Sequence, residues 1–191
     1  MSTKQILLLS ESTIKARTPL EDNVSGKIIL PAIRFAQEQG LREIIGSNLL
    51  DKLKDLVEAG TIEGDYRDLL QRCQDYLCYK ALTEICTLTA VKISGAGLQQ
   101  VSDERMNPIS ISDSYSVQSW YQNKADYCAR LLQNYLVKNY TKFPELSTGQ
   151  YLDIRSNLYS SATSGLFLGG RRGSRSNKYP RYHLNYDKPS Y

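Results

Sequence analysis

The longest regular pattern of apolar positions in the chain runs from Asp65 to Ile93. Its apolar residues recur at steps of three and four, the spacing that places side chains on one face of an α-helix. They are Tyr66, Leu69, Leu70, Cys73, Tyr76, Leu77, Ala81, Ile85, Leu88 and Val91. No Pro or Gly interrupts the run before Gly95, and Asp65 can cap its start. Such a helix is roughly 40 Å long, so we expect the other helices of a small domain to pack along it.

Three shorter helical segments precede this long helix. The first, residues 28–39, has apolar residues on one face, and Gly40 is suited to end it as a C-cap. Residues 41–46 form a single short turn. Ser47 can then cap a further helix over residues 48–57.

The N-terminal part of the chain has weaker signals. Residues 4–9 are a short apolar run, which we interpret as a strand or as an arm that docks on a neighbour. Residues 10–26 are polar and contain Pro19 and Gly26, which predicts a loop. We therefore expect residues 1–24 to form an N-terminal arm.

Residues 94–112 lack a helical period and contain two glycines and an Asn-Pro pair. This connection is long for a compact bundle, which predicts a projecting loop with a role of its own. A last helix is predicted from Asp113, a good N-cap, to Thr141. Its inward stripe is Val117, Trp120, Tyr121, Lys124, Cys128, Leu131, Leu132, Tyr135 and Leu136.

Charge divides the chain of 191 residues, whose net charge is +4. Residues 1–150 carry 17 basic and 18 acidic residues, whereas residues 151–191 carry 7 basic and 2 acidic residues. The segment 146–191 is rich in Ser, Asn, Gly, Arg and Tyr, and we assign it no secondary structure. Tyrosine and arginine give strong protein contacts, so we expect this C-terminal arm to order on a partner.

Catalytic chemistry finds little support in the sequence. His183 is the only histidine and lies in the C-terminal arm, so no Ser/His/Asp arrangement can form within residues 25–145. The cysteines match no C-x-x-C metal or redox spacing, and we interpret them as buried free thiols. They are Cys73, Cys78, Cys86 and Cys128. We predict no enzyme activity, no metal and no cofactor.

Two further patterns are better explained by structure than by ligand binding. Four carboxylates near one turn could hold a divalent cation, but their spacing does not match an EF-hand loop. Acidic residues at a helix N-terminus also interact favourably with the helix dipole. They are Glu58, Glu63, Asp65 and Asp68. The Gly95-x-Gly97 pair follows a helix and not a strand, so it does not predict a phosphate-binding loop. An enzyme with a metal at the carboxylates stays a third possibility.

Residues 169–175, Gly-Gly-Arg-Arg-Gly-Ser-Arg, are the best functional candidate in the arm. Such segments can follow a nucleic-acid backbone, dock on a protein surface, or remain a solvated terminus. We favour protein docking. The apolar run at residues 6–9 is too short for a signal peptide, and no segment approaches the length of a membrane span. We therefore expect synthesis in the cytosol and no membrane contact.

The runs Leu30–Glu38, Leu41–Gly46 and Leu49–Leu53 resemble small head–tail connector proteins of tailed bacteriophages, also called adaptor or ring proteins. The resemblance is to those of crAss-like phages and of prophages of Bacteroidales in particular. It extends over Tyr66–Glu104, including the Gly-Ala-Gly-Leu-Gln-Gln segment after the long helix. The last helix agrees in type only, and the C-terminal arm has no counterpart in that family.

The resemblance implies a structural virion protein without catalysis. Such proteins form a closed ring of about twelve copies beneath the portal. The ring extends the DNA channel, through which DNA passes without specific binding, and joins the portal to the next tail or ring protein. The protein would assemble in the host cytoplasm and reside at the head–tail interface of the virion.

We therefore predict an all-α bundle of four or five helices around one long helix at residues 25–145, with the projecting loop 94–112 and two extended arms. The residues predicted to contact partners are Leu98, Gln99, Gln100, Val101, Met106, Phe167, Arg171, Arg172, Arg175, Tyr179, Tyr182 and Tyr186. The alternative function is nucleic-acid binding by the basic arm, which predicts a steep salt dependence that disappears when the arm is removed.

Overall fold

The computed structural model describes residues 5–94, 97–100 and 111–146, together with Ile154, Ser156 and Leu158. The fold is an all-α bundle around one long helix, which confirms the predicted fold class. The helices are α1 (Glu11–Arg17), α2 (Gly26–Phe35), α3 (Arg42–Ile45), α4 (Ser47–Ala59), α5 (Gly64–Ala90) and α6 (Ile111–Lys138). A π-helical segment, Ala36–Leu41, joins α2 to α3. Two strands, β1 (Val91–Ser94) and β2 (Gly97–Gln100), follow α5, and two turns of 3₁₀-helix, Tyr140–Lys142 and Pro144–Leu146, follow α6.

Helix α5 is the centre of the bundle. Its consecutive residues Tyr76, Leu77 and Cys78 are all buried. Successive residues on an α-helix point about 100° apart, so three buried neighbours require cover on more than one side. Helices α6 and α2 supply most of that cover. The helix ends at Ala90, a little before the predicted end, because the chain continues into β1.

The predicted loop at residues 10–26 is wrong in its first half, where α1 forms. The side chain of Ser10 caps this helix by accepting a hydrogen bond from the backbone N–H of Thr13, at 3.1 Å. Only Ile14 is buried on α1. A helix of two turns with one apolar anchor is too short to produce a period in the sequence.

The apolar run before α1 packs on the bundle of its own chain. Leu8 and Leu9 are buried in the core. The buried side chain of Gln37 accepts a hydrogen bond from the backbone N–H of Leu8 at 2.8 Å and donates one to the carbonyl of Ile6 at 3.0 Å. Gln74 donates to the carbonyl of Leu8 at 2.9 Å. Two glutamines thus satisfy the backbone groups that a neighbouring strand would otherwise pair.

The prediction that Gly40 ends a helix as a C-cap is wrong. Gly40 lies inside the π-helical segment. The hydroxyl of Tyr76 occupies the space that a Cβ atom at this position would need. The glycine therefore allows α5 to approach the π-helical segment closely, and the sequence pattern could not distinguish this role from that of a C-cap.

Helix α4 begins and ends at glycines with positive φ. Gly46, with φ 81°, precedes it, and Gly60, with φ 66°, is its left-handed C-cap. Ser47, predicted as the N-cap, is instead the first residue of the helix and is buried. Its hydroxyl accepts a hydrogen bond from Arg42 at 3.1 Å.

Helix α6 begins at Ile111, and its predicted inward stripe is correct in part. Leu132 and Leu136 are buried as predicted, and Tyr121, Cys128 and Tyr135 pack against the core. Ala125, Leu132 and Leu136 are its buried residues. Trp120, predicted to face inward, is half exposed, and Val117 and Leu131 are exposed as well. Two apolar stripes run along this helix, and the sequence pattern did not show which one meets α5.

The chain after α6 packs back onto the bundle. Phe143 is fully buried, with its ring edge-on to Tyr66 at 5.4 Å between centroids. Further along, the carbonyl of Ile154 accepts a hydrogen bond from the backbone N–H of Ser47 at 3.0 Å. Leu158 packs against the core. The first part of the predicted C-terminal arm therefore contacts the bundle of its own chain.

Candidate interaction surfaces

The structure places three of the predicted partner-binding residues, Leu98, Gln99 and Gln100, on strand β2. In the register of the hairpin they pair with Ile93, Lys92 and Val91, respectively. The other predicted residues lie outside the part of the chain that the structure describes. They are Val101, Met106, Phe167, Arg171, Arg172, Arg175, Tyr179, Tyr182 and Tyr186.

The β1–β2 hairpin continues directly from the end of α5, where the sequence predicted an irregular loop. The two strands pair antiparallel, and among the described residues they form a sheet of only two strands. Each strand therefore has one edge without a described backbone partner. An isolated hairpin of two strands is marginally stable in water, and open edges can accept a further strand from another chain.

Helix α6 carries a row of four exposed apolar residues and one half-buried lysine, which we call the α6 seam. Its members are Val117, Trp120, Lys124, Tyr127 and Leu131. The exposed fraction is 52% for Trp120 and 57% for Tyr127, large values for residues of this size. The sequence identified most of these residues as apolar but assigned them to the core.

Lys124 lies on the aromatic part of the seam. Its Nζ atom is 3.5 Å from the centroid of the Trp120 ring and 5.5 Å from that of Tyr79 on α5. Tyr121 packs edge-on to Trp120 with 4.9 Å between ring centroids. A cation over an indole is attracted by the ring quadrupole, so the lysine and the tryptophan hold each other on the helix surface.

Helix α2 also exposes two apolar residues, Leu30 and Phe35, which we call the α2 patch. Their exposed fractions are 45% and 47%. Lys27 and Arg34 are exposed residues of the same helix, so basic side chains lie beside this patch. The α2 patch is thus smaller than the α6 seam and also basic at its margin.

A polar network fixes the π-helical segment to α4. Glu38 receives hydrogen bonds from Arg42, from Lys54 at 2.7 Å and from Gln37 at 3.2 Å. Burial by itself raises the pKa of Glu38, but the bonds from Lys54, Arg42 and Gln37 outweigh it and lower the pKa to about 2. The carboxylate is therefore ionised and engaged in structure, which leaves it unsuited to acid–base chemistry.

Of the carboxylates considered as a possible cation site, Asp65 is engaged by a lysine. Asp65 accepts a hydrogen bond from Lys142 at 2.6 Å, and this bond raises the pKa of Lys142. Among the described residues there is no group of three or more His, Cys, Asp or Glu side chains arranged to hold a metal ion. His183 lies outside the described residues.

The cysteines are free thiols, as the sequence predicted. Cys73 and Cys78 are buried, and Cys86 and Cys128 are half-buried. Burial raises the pKa of Cys78 to about 11 and also raises the pKa of Cys73. Since the thiolate is the reactive form, these thiols are poor nucleophiles at neutral pH.

Near the end of α6, the hydroxyl of Tyr66 donates to both carboxylate oxygens of Glu145 at 3.0 Å. Burial and this contact raise the pKa of Tyr66 to about 12. Together with the buried ring of Phe143, the pair anchors the chain where it leaves α6. This anchor fixes the point from which the C-terminal segment departs.

None of the described helices is long and apolar enough to cross a membrane.

Comparison with known proteins gives a family but no activity. No curated protein and no solved structure matches the chain. Residues 41–156 match the model of a family of unknown function, DUF6712. This match covers more than half of the chain, including α4, α5 and α6, and the chain therefore belongs to the DUF6712 family.

Proposed function

We propose that the protein is a head–tail connector subunit of a tailed bacteriophage, which forms a ring beneath the portal and has no catalytic role. The ring, of about twelve copies, extends the DNA channel and joins the portal to the next tail component. The resemblance of residues 30–104 to connector proteins suggested this role, and the exposed surfaces of the bundle support it.

The β1–β2 hairpin is the observation on which the proposal depends. It follows directly from the end of the central helix, and each of its strands has an open edge among the described residues. A rigid helix of 27 residues that ends in a marginally stable hairpin is well suited to bring strand edges of adjacent subunits together. Leu98, Gln99 and Gln100 are the residues of this contact.

The hairpin and the α2 patch are different surfaces, as a ring requires. A contact between two unlike patches is heterologous, and it closes into a ring when the rotation between subunits closes. The body of the protein is near neutral, with 17 basic and 18 acidic residues over residues 1–150. A neutral ring would allow DNA to pass without holding its phosphates.

A shortened hairpin tests this proposal. Val91 and Gln100 pair at the base of the hairpin, so a Gly-Gly linker can replace residues 92–99, including Leu98 and Gln99, and still close a tight turn. Mass photometry and electron microscopy, with and without the portal protein of the same phage, measure ring formation. We expect the full chain to form rings and the shortened variant to remain a folded monomer with an unchanged helical circular dichroism spectrum.

The control is Val137→Ser, which changes an exposed residue of α6 away from the hairpin and should leave the rings intact. Rings of normal size from the shortened variant would contradict the role of the hairpin. A full chain that stays monomeric with the portal present, yet binds short DNA with a steep salt dependence, would favour the nucleic-acid-binding alternative.

A further inference from the structure

The α6 seam has the spacing of a helix–helix contact although no described element covers it. Val117, Trp120, Lys124, Tyr127 and Leu131 follow one another at steps of three, four, three and four residues. This is the a/d spacing by which one α-helix packs along another. The core-facing side of α6, with Ala125, Leu132 and Leu136, is already satisfied by the bundle. The seam is therefore a second packing face, unused within the described structure.

The seam is large enough to matter. Its four apolar members have exposed fractions between 39% and 57%. From the usual areas of aromatic and aliphatic side chains they present on the order of 400 Å², within the range of the largest apolar patches on soluble proteins, which are often functional. A single docked helix could cover a strip of this width.

Lys124 determines which charge a surface that packs on the α6 seam must carry. It lies at the middle of the seam, and no carboxylate of the described residues lies within 4 Å of its Nζ atom. Covering the seam would remove this ammonium group from water, which is unfavourable unless the covering surface supplies an opposite charge. A complementary surface therefore carries a carboxylate opposite Lys124.

A second copy of the chain fits poorly. Two seams packed in register, or antiparallel about their middle, would place Lys124 of one copy against Lys124 of the other. The α2 patch of a second copy offers Leu30 and Phe35, but its exposed neighbours Lys27 and Arg34 are also basic. Like charges at a desolvated contact are unfavourable. Neither the seam nor the α2 patch of a second copy thus offers the carboxylate that Lys124 requires.

We propose that the α6 seam binds an amphipathic α-helix of a different protein, with apolar residues at heptad spacing and a carboxylate facing Lys124. This inference depends on the α6 surface alone and does not require the connector role. The proposed ring contacts, at the hairpin and the α2 patch, lie on other surfaces of the chain.

Trp120 makes the test direct, because it is the only tryptophan in the chain. The probe is a synthetic helical peptide of about 20 residues with Leu at the a and d positions and one Glu at the middle. A matched peptide carries Lys in place of that Glu. On titration of the full-length protein, the Glu peptide should shift Trp120 emission to shorter wavelength. The Lys peptide should bind at least about tenfold more weakly.

Three variants define the site. Leu131→Ser should abolish most of the shift, whereas Val137→Ser, an equally exposed apolar residue outside the seam, should not. Lys124→Glu should reverse the preference between the two peptides, as measured by the anisotropy of labelled peptide. All three positions are wholly or partly exposed, so thermal melts should match that of the unmodified protein and exclude unfolding as the cause.

Several outcomes would overturn the proposal. It would be contradicted by a Glu peptide that does not bind, by equal binding of the two peptides, or by an unchanged response in Leu131→Ser. Emission that shifts with protein concentration alone would identify a second copy as the occupant. Emission that is already blue-shifted in dilute protein would show that the chain covers its own seam. Quenching of Trp120 by single-stranded DNA, without a response to the Glu peptide, would indicate a nucleic-acid surface.

Discussion

Glu38 shows how one side chain can join several elements and make stability depend on pH. Its carboxylate joins the π-helical segment to α3 through Arg42 and to α4 through Lys54. The pKa of Glu38 is about 2 in the folded protein, below the ordinary value of 4.5 for a glutamate side chain. Folding therefore favours the ionised form. The resulting stabilisation is present above pH 4.5 and is lost as the pH falls toward 2.

Replacing Glu38 by Gln should destabilise the protein by about 1–2 kcal/mol at pH 7, a value reduced for the solvent screening of a partly exposed group. The difference in the free energy of unfolding between variant and parent should be smaller when urea unfolding is repeated near pH 3. At that pH the parent protein loses most of the stabilisation that ionised Glu38 provides. Glu43→Gln, on an exposed neighbour, is the control. An equal loss for Glu38→Gln at both pH values would show that the charge is not the cause.

At the scale of elements, the π-helical segment is the feature with the clearest structural purpose. It places Gln37 inside the bundle, where the amide holds both the N–H of Leu8 and the carbonyl of Ile6. π-helical turns are rare and occur mostly as single turns within α-helices. The N-terminal segment is thus held by side chains that act as a strand partner.

Gln37→Ala should leave those two backbone groups without partners and cost about 2–3 kcal/mol, since buried unsatisfied polar groups are expensive. Hydrogen exchange at the amide of Leu8 should accelerate by at least about tenfold. Gln39→Ala, an exposed position in the same segment, should change neither quantity. Unchanged protection at Leu8 would mean that burial of Leu8 and Leu9 alone holds this segment.

The sequence predicted the elements with long or strongly amphipathic patterns and missed those that depend on tertiary contacts. Helix α5 was predictable because apolar residues recur through 27 positions without a breaker. Helix α1, with a single buried residue, and the π-helical segment have no local signal of that kind. In strand β1 the only residues that favour a strand are the β-branched Val91 and Ile93. Their spacing does not exclude a continuation of helix α5, so the sequence did not predict the β1–β2 hairpin.

The α6 seam illustrates a different limit. Val117, Trp120 and Leu131 were recognised as one apolar stripe with Leu132 and Leu136, but a stripe of that width exceeds what α5 can cover. Periodicity identifies apolar faces and does not say which of two faces meets the core. Packing against α5 decides which face of α6 is buried, and the exposed face is the candidate binding site.

At the scale of the whole molecule, the C-terminal segment divides into a part that contacts the bundle and a part that we propose binds partners. Glu145, Ile154 and Leu158 contact the bundle. The residues beyond 159 are basic and rich in tyrosine, a composition suited to protein contacts. Two truncations separate these roles because one preserves the described contacts and the other removes them.

A chain that ends after Leu158 should melt at the temperature of the full chain, since its described core contacts remain, yet it should fail to assemble with the portal. A chain that ends after Pro144 should melt roughly 5–10 °C lower, because it also loses the Tyr66–Glu145 contact and the packing of Leu146 and Leu158. Calorimetry measures the first property and electron microscopy the second. Normal assembly by the chain ending after Leu158 would exclude the arm as the element that joins subunits to their partners. The ring contacts would then have to come from the hairpin and the α2 patch alone.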